Sequence, residues 1–369
     1  MKKLNIGIIG FGFIGRLHLD AARRIPCAQV TALCEADEHT VTAACMQYDV
    51  PKAYHDWREL MDDPDIDVIH NCTPNALHDE INRAVIMAGK HLYCEKPLSN
   101  SAAEAREIWR LAVEHNVAQG LNHQYRLNAA VQEMRSRLQK GLAGRPLMAY
   151  GCYLQESASR AADWSHRMDH TGPARALNDI GVHWVDTATC VLGQPVKEVM
   201  ADLHIHHAIR KGADGMEHVM DTEDTGLILL HFADGTPGQL LVSKAANGHK
   251  NDLRLSIQCD GYSMEWLQEE PDRLHLGLRE EGTEILYMNP RTCQEDVRPF
   301  ITTPMGHVMG WPDALRNALA AFYNSILDGS YHNEKQPYST FADGFQGMAF
   351  VEACIRSNRE RRWVEVEKP

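Results

Sequence analysis

The stretch Leu4-Asn5-Ile6-Gly7-Ile8-Ile9-Gly10-Phe11-Gly12-Phe13-Ile14-Gly15 decides the architecture of this chain. Residues 4–9 form a short apolar run that reads as a buried strand. The glycines from Gly10 to Gly15 read as a turn, and residues 13–25 carry a helical pattern. Gly-x-Gly-x-x-Gly between a strand and a helix is the phosphate-cradling turn of a dinucleotide-binding βαβ unit. Gly10 permits the tight turn. Gly12 lets a pyrophosphate approach the backbone, and Gly15 lets the helix lie close on the strand. The helix opening at Phe13 and Ile14 offers N–H groups and the positive end of its dipole to phosphate.

The next strand, residues 30–34, ends at Glu35, 20 residues beyond Gly15. A carboxylate there accepts hydrogen bonds from both ribose hydroxyls of an adenosine and repels a 2′-phosphate. No Arg or Lys lies between residues 25 and 40 to hold such a phosphate, so NAD is expected over NADP. Asp37 reads instead as the cap of the following helix, 38–48.

Strand and helix patterns continue to alternate. Strands read at 67–72, 91–94 and 117–121, and helices at 76–88, closed by Gly89, and at 101–115, capped by Ser99 or Ser101. This alternation predicts a doubly wound parallel sheet. After about residue 123 the pattern changes. A helix over 128–140 precedes strands at 146–155, 196–206, 225–232, 237–245, 252–259 and 262–267. Asp234-Gly235 and Asp260-Gly261 are hairpin-type turns. Helices near 312–327 and 341–358 complete the chain. The fold class is therefore α/β over residues 1–123 and α+β over 124–369, the second with a large, mostly antiparallel open sheet. The C-terminal helices are free to pack back on the first domain.

Composition narrows the function classes. The 369 residues carry 37 Lys and Arg against 50 Asp and Glu, a net charge of −13. Such a chain repels phosphate backbones and anionic lipid, so neither nucleic acid nor membrane is an expected partner. The first residues resemble a signal peptide only superficially, because glycines break the apolar run. Ten cysteines without a CxxC pair suit reduced, buried thiols in the cytoplasm. His204-x-His206-His207 has no Cys or carboxylate at ligand spacing, and no metal site is expected.

Two loops leave the carboxyl ends of sheet strands, where open α/β sheets bind ligands: Thr73-Pro74-Asn75 with His78, and Glu95-Lys96-Pro97. From the residues alone, Lys96 reads equally as a surface lysine paired with Glu95 or as an ammonium that helps move a proton. Asp179 and His183 are four apart and share a face if the segment is helical, with Asp186 three further on. An imidazole beside a carboxylate suits the removal of a hydroxyl proton. The same spacing is common in surface and capping pairs.

The ordered set Gly10-x-Gly12-x-x-Gly15 with His18, Thr73-Pro74-Asn75 with His78, Glu95-Lys96-Pro97, Asn122-x-x-Tyr125-Arg126 and Asp179-Ile-Gly-Val-His183 with Asp186 resembles the Gfo/Idh/MocA oxidoreductases over essentially the whole chain. The resemblance implies a Rossmann domain, an α+β domain whose open sheet often serves oligomer contacts (a dimer or tetramer here), and a sugar, polyol or cyclitol substrate. It makes His183 the acid/base, Lys96 the group that holds and polarises the reacting oxygen, and Asp179 the partner that binds hydroxyls. Gly10, Gly12, Phe13, Ile14, Gly15, Glu35, Thr73, Asn75, His78, Glu95 and Lys96 are the implied cofactor residues. Tyr125, Arg126, Trp164 and Arg167 join Lys96, Asp179 and His183 as substrate residues. The stretch 157–175 departs from many relatives, and Trp164, His166, Arg167 and Arg175 are candidates for specificity.

Two other classes stand beside the dehydrogenase. An NAD-dependent glycoside hydrolase oxidises its sugar transiently, and Tyr125 or His123 would supply the base for the elimination. A non-catalytic NAD-binding regulator would lack the lysine or histidine, and both Lys96 and His183 are present.

Overall fold

The structure is a computed structural model that describes residues 3–159, 172–211, 215–333 and 335–368. Trp164, His166 and Arg167 lie outside the described residues. The chain divides into two units, Met1–Gln124 with Leu315–Phe345, and Tyr125–Ala314 with Gln346–Pro369.

In the first unit β1 (Leu4–Ile9), β2 (Ala28–Cys34), β3 (Lys52–Tyr54), β4 (Val68–Asn71), β5 (His91–Cys94) and β6 (Gln119–Leu121) form one sheet in the order β3-β2-β1-β4-β5-β6. Every pairing is parallel. Parallel strands are covered on both faces and so are apolar throughout. Ile6, Ile8, Leu33, Ile69 and Leu92 are all fully buried. The helices are α1 (Phe13–Arg23), α2 (Glu38–Tyr48), α3 (Trp57–Asp62), α4 (His78–Met87) and α5 (Ala102–Glu114). Asp37 caps α2 by accepting the Thr40 N–H at 2.7 Å, and Ser101, not Ser99, caps α5. The direction in which strands are laid down reverses between β1 and β4. That is the switch point where the loops after the two strands part and leave a crevice.

The second unit holds α6 (Ala129–Gln139), β7 (Pro146–Leu154), a π-helical turn Leu177–Gly181 running into α7 (Val182–Leu192), and β8 (Val196–His204). A small ladder pairs β9 (Ile209–Lys211) with β10 (Glu217–Val219). Then follow β11 (Thr225–Phe232), β12 (Pro237–Ser243), β13 (Asp252–Cys259), β14 (Tyr262–Leu267), β15 (Arg273–Leu278), β16 (Gly282–Tyr287) and β17 (Val364–Glu365). Nine of these strands form one sheet, β16-β15-β14-β13-β7-β12-β11-β8-β17. It is antiparallel except where β12 runs parallel to β7. The last two helices are α8 (Trp311–Asp328), most of which belongs to the first unit, and α9 (Phe341–Glu360). Helix α7 lies against β7 and β13, and the Trp184 Nε1–H donates to the Arg254 carbonyl at 2.9 Å. From α9, Ser357 and Asn358 accept the backbone N–H groups of Ala201 and Leu203 on β8. Residues alternate as a half-covered sheet requires: Ile228 and Leu230 are 1% exposed, whereas Leu227 and Leu229 are 49% and 52% exposed.

The α/β plus α+β class is as expected, but the sheet is larger than the sequence suggests. β15, β16 and β17 were not foreseen. In β15 Arg273 and His275 interrupt the apolar run, and β16 is an edge strand that is mostly exposed. β12 stops at Ser243, two residues short of expectation. Among the described residues no helix is long and apolar enough to cross a membrane, and no group of three His, Cys, Asp or Glu is placed to hold a metal ion.

Candidate active site

The turn after β1 is built by steric necessity. Gly10 has φ +84°, and a Cβ there would lie 2.6 Å from the Cys72 carbonyl oxygen. A Cβ on Gly15 would lie 2.2 Å from the Gly10 carbonyl oxygen, so only glycine allows α1 to pack this closely. A Cβ on Gly12 would meet nothing within 4 Å, because Gly12 faces open space. That space is a cavity of about 500 Å³ lined by Gly10, Gly12, Phe13, Ile14, Glu35 and Thr73, among others. Phe13 opens α1, and Gly12 brings no side chain to cap it. The first N–H groups of the helix thus suit an anion. Glu35 closes the far side. Its Oε2 accepts the Phe11 N–H at 2.9 Å and its Oε1 accepts the Ala36 N–H at 3.2 Å. Glycine cradle, helix N-terminus and carboxylate together fit a dinucleotide without a 2′-phosphate.

The loops after β4 and β5 are braced from beneath. Thr73 donates its hydroxyl to Asn71 at 2.7 Å, and Asn71 donates to Asn82 on α4 at 2.8 Å. Asn75 opens a short 3-10 turn ahead of α4. His78 is fully buried, with Nδ1 2.7 Å from the Pro97 carbonyl and Nε2 3.0 Å from the Thr73 carbonyl. One imidazole thus ties the Thr73 loop to the Lys96-Pro97 loop, and burial holds its pKa below the usual histidine range. Sequence reasoning assigned His78 to cofactor contact. The structure puts its ring between the two loops.

Glu95 is also buried, beneath Lys96. His18 Nε2 lies 2.9 Å from Glu95 Oε1, and the Asn122 amide donates to the same oxygen. Burial pushes the Glu95 carboxyl up, but His18, Lys96 and Asn122 outweigh it, and the net shift is downward. The chain of contacts continues from His18 Nδ1 to His70 Nδ1 at 3.0 Å and from His70 Nε2 to the Tyr323 hydroxyl at 2.8 Å. Burial, reinforced by His18, drives the His70 pKa well down, so His70 is neutral. Tyr323, His70, His18 and Glu95 thus form one buried chain of polar contacts. This chain ends at the residue next to Lys96.

The second unit gathers the other reactive groups. Asp179 lies on the π-helical turn and His183 in the first turn of α7, so the expected helical relation holds. π-turns inside helices are frequent at functional sites. His183 is 6% exposed and its ring packs edge-on to Tyr125, with centroids 5.1 Å apart. Three groups close a hydrogen-bonded ring: Tyr153 donates to the Asn251 side-chain oxygen at 2.6 Å, the Asn251 amide donates to the Tyr125 oxygen at 3.0 Å, and Tyr125 and Tyr153 oxygens are 3.0 Å apart. Burial, with a contribution from the Asp179 charge, raises both phenols, so both stay protonated at neutral pH. Lys244 donates to Asp179 Oδ2, and Arg175 Nη1 lies 3.4 Å from the same oxygen. Arg126, expected to touch substrate, engages Asp186 of α7 through two hydrogen bonds, and both side chains are buried. This pair fixes α7 against the segment that carries Tyr125.

Lys244, Tyr153, Asn251 and Glu223 escaped sequence reasoning as site residues. The Glu223 carboxylate accepts the N–H groups of Arg175 and Leu177, at the start of the segment that carries Asp179.

Two family models match the chain. One, described as an oxidoreductase family with an NAD-binding Rossmann fold, covers residues 4–123, and the C-terminal domain model of the same family covers residues 131–265. The chain belongs to the Gfo/Idh/MocA family. Its cofactor is NAD, in keeping with the Glu35 cavity. Among curated relatives, levoglucosan dehydrogenase of Pseudarthrobacter phenanthrenivorans is 27% identical over 99% of both chains. Myo-inositol 2-dehydrogenase of Thermotoga maritima is 26% identical over 66% of this chain and 69% of its own. Among solved structures, levoglucosan dehydrogenase in complex with NADH and levoglucosan superposes with a TM-score of 0.91, at 26% identity and full coverage of both chains. This Gfo/Idh/MocA chain is thus similar throughout its length to an NADH-binding sugar dehydrogenase.

Proposed function

We propose that this protein is an NAD-dependent dehydrogenase of a cyclic sugar or cyclitol hydroxyl. The observation that carries the reading is the cluster in the second unit. His183 packs edge-on against Tyr125, and Asp179 sits one helical turn before it, held by Lys244 and Arg175. NAD, when bound, supplies the acceptor for the hydride that leaves the alcohol carbon. His183 takes the hydroxyl proton, a step that positioned imidazoles accelerate by about 10²–10⁴-fold. Asp179 accepts hydrogen bonds from sugar hydroxyls. Lys96 polarises the reacting oxygen, a role taken from the matching motif. The full-length likeness to levoglucosan dehydrogenase favours a pyranose-like or cyclitol ring.

The glycosidase reading is weaker on a specific observation. Its elimination step needs a base, and the Tyr125 phenol is buried, closed into a hydrogen-bonded ring and raised in pKa. His123 is buried against Ser339. A screen of anhydrosugars, aldoses, polyols, inositols and aryl glycosides with NAD separates the two. NADH formation supports the dehydrogenase, and release of aglycone without NADH refutes it.

We further place the protein in the cytoplasm, as ten cysteines without a disulfide suit. We also propose a homo-oligomer that uses the open face of the nine-stranded sheet, where Leu227 and Leu229 are exposed. Sedimentation of the wild type and of Leu227→Lys reads the assembly directly, and a monomeric wild type overturns it.

A further inference from the structure

We propose that Lys244 is a positioning residue of the reaction, its ammonium holding the Asp179 carboxylate in the orientation that receives substrate hydroxyls. The inference rests on the reading above, in which Asp179 and His183 serve a sugar-oxidising site.

Lys244 follows the last residue of β12. Its N–H donates to the Asp224 carbonyl at 2.8 Å, and its own carbonyl accepts the Ala158 N–H at 2.7 Å. The backbone is thus pinned on both sides. The residue is 2% exposed, and its ammonium meets Asp179 Oδ2.

Burying an ammonium in this way is costly. A buried ion pair is seldom more stable than well-packed apolar side chains of the same size. Stability alone therefore does not account for a lysine here, whereas function does. The Asp179 side chain keeps 24% exposure while that of Lys244 keeps 3%, so the carboxylate is the member of the pair that can reach a ligand. Arg175, one turn earlier on the same segment, adds a second cation at 3.4 Å. Two positive charges on one carboxylate favour its ionised form, which only accepts hydrogen bonds. Asp179 so held is a hydroxyl acceptor, and the proton transfer falls to His183. The pairing also fixes the π-turn against the end of β12, across 65 residues of sequence.

The test is a double-mutant cycle on the full chain with NAD and levoglucosan or myo-inositol, whichever the wild type oxidises. NADH binding by fluorescence serves as the control for folding. Lys244→Met is expected to lower kcat/KM about 100-fold with Asp179 present and less than about 3-fold in an Asp179→Asn background. Lys244→Arg is expected to recover activity to within about 10-fold of wild type, with NADH affinity unchanged. If Lys244→Met does not bind NADH, the same cycle is read with Lys244→Gln. Equal losses in both backgrounds, or a Lys244→Met or Lys244→Gln variant within about 3-fold of wild type, overturn the inference while the parent reading stands. If His183→Ala and Lys96→Ala keep wild-type turnover, or the wild type forms no NADH with any sugar, the parent reading fails and the inference with it.

Discussion

The Glu223 carboxylate accepts the backbone N–H of Leu177 at 2.8 Å. It also takes the N–H of Arg175 at 3.1 Å, so a buried acid caps the helical segment that carries Asp179 and His183. Burial raises its pKa from an ordinary 4.5 to about 7, although the backbone N–H groups oppose the shift. A folded-state pKa above the unfolded value means that the folded protein binds the proton more tightly. The associated stability is full below about pH 4.5 and is lost as the pH rises through about 7. The span corresponds to about 3 kcal/mol. Denaturant titrations of wild type and Glu223→Gln at about pH 5 and pH 8 check this. The wild type is expected to lose about 2–3 kcal/mol relative to the variant across that range, and parallel pH dependences would refute the assignment.

Gly12 and Gly15 should fail in different ways. A Cβ at position 15 collides with the Gly10 carbonyl at 2.2 Å, whereas one at position 12 meets no protein atom within 4 Å. Gly15→Ala is expected to destabilise the chain by about 1–3 kcal/mol, the usual scale of overpacking. Gly12→Ala is expected to melt with the wild type yet to weaken NADH binding at least about 10-fold, because its methyl occupies the phosphate cradle. Melting curves paired with NADH titrations read both effects, and a Gly12→Ala protein with wild-type affinity contradicts the cradle.

We propose that Glu35 sets the choice of cofactor. Its Oε2 already accepts the Phe11 N–H, which fixes the carboxylate at the rim of the cavity. Glu35→Ala is expected to weaken NADH binding about 10–100-fold, the cost of losing charge-assisted bonds to ribose. The ratio of NADPH to NADH affinity should rise as repulsion of the 2′-phosphate is removed. Isothermal titration with both cofactors decides. An unchanged ratio would place discrimination elsewhere.

His183→Ala and Lys96→Ala are expected to lower kcat by about 10²–10⁴-fold. His183→Ala should not move NADH affinity by more than about 3-fold. A Lys96→Ala enzyme with full turnover would remove Lys96 from the chemistry.

Much of the first unit is legible because its signals are local. The turn from Gly10 to Gly15 is contiguous, and the strands beside it are continuous apolar runs that only a sheet covered on both faces produces. The second unit is less legible. β15 alternates Leu274 and Leu276, both buried, with Arg273 and His275, and reads as polar loop in a linear scan. The site is least legible where a bond joins distant residues. Lys244 and Asp179 are 65 apart, Arg126 and Asp186 are 60 apart, and Leu177 and Glu223 are 46 apart. Strand order brings these pairs together, and no periodicity encodes it. The helical spacing of Asp179 and His183 is visible in the sequence, but the cation that holds Asp179 is not.

On the proposed function, hydride passes from a sugar carbon to NAD with His183 taking the proton. The most direct measurement uses the substrate found in the screen, deuterated at its carbinol carbons, and mass spectrometry of the reduced cofactor. One deuterium is expected in the NADH formed by the wild type, with a rate at least about 100-fold lower for His183→Ala. NADH without deuterium, or equal rates from the two proteins, would contradict it.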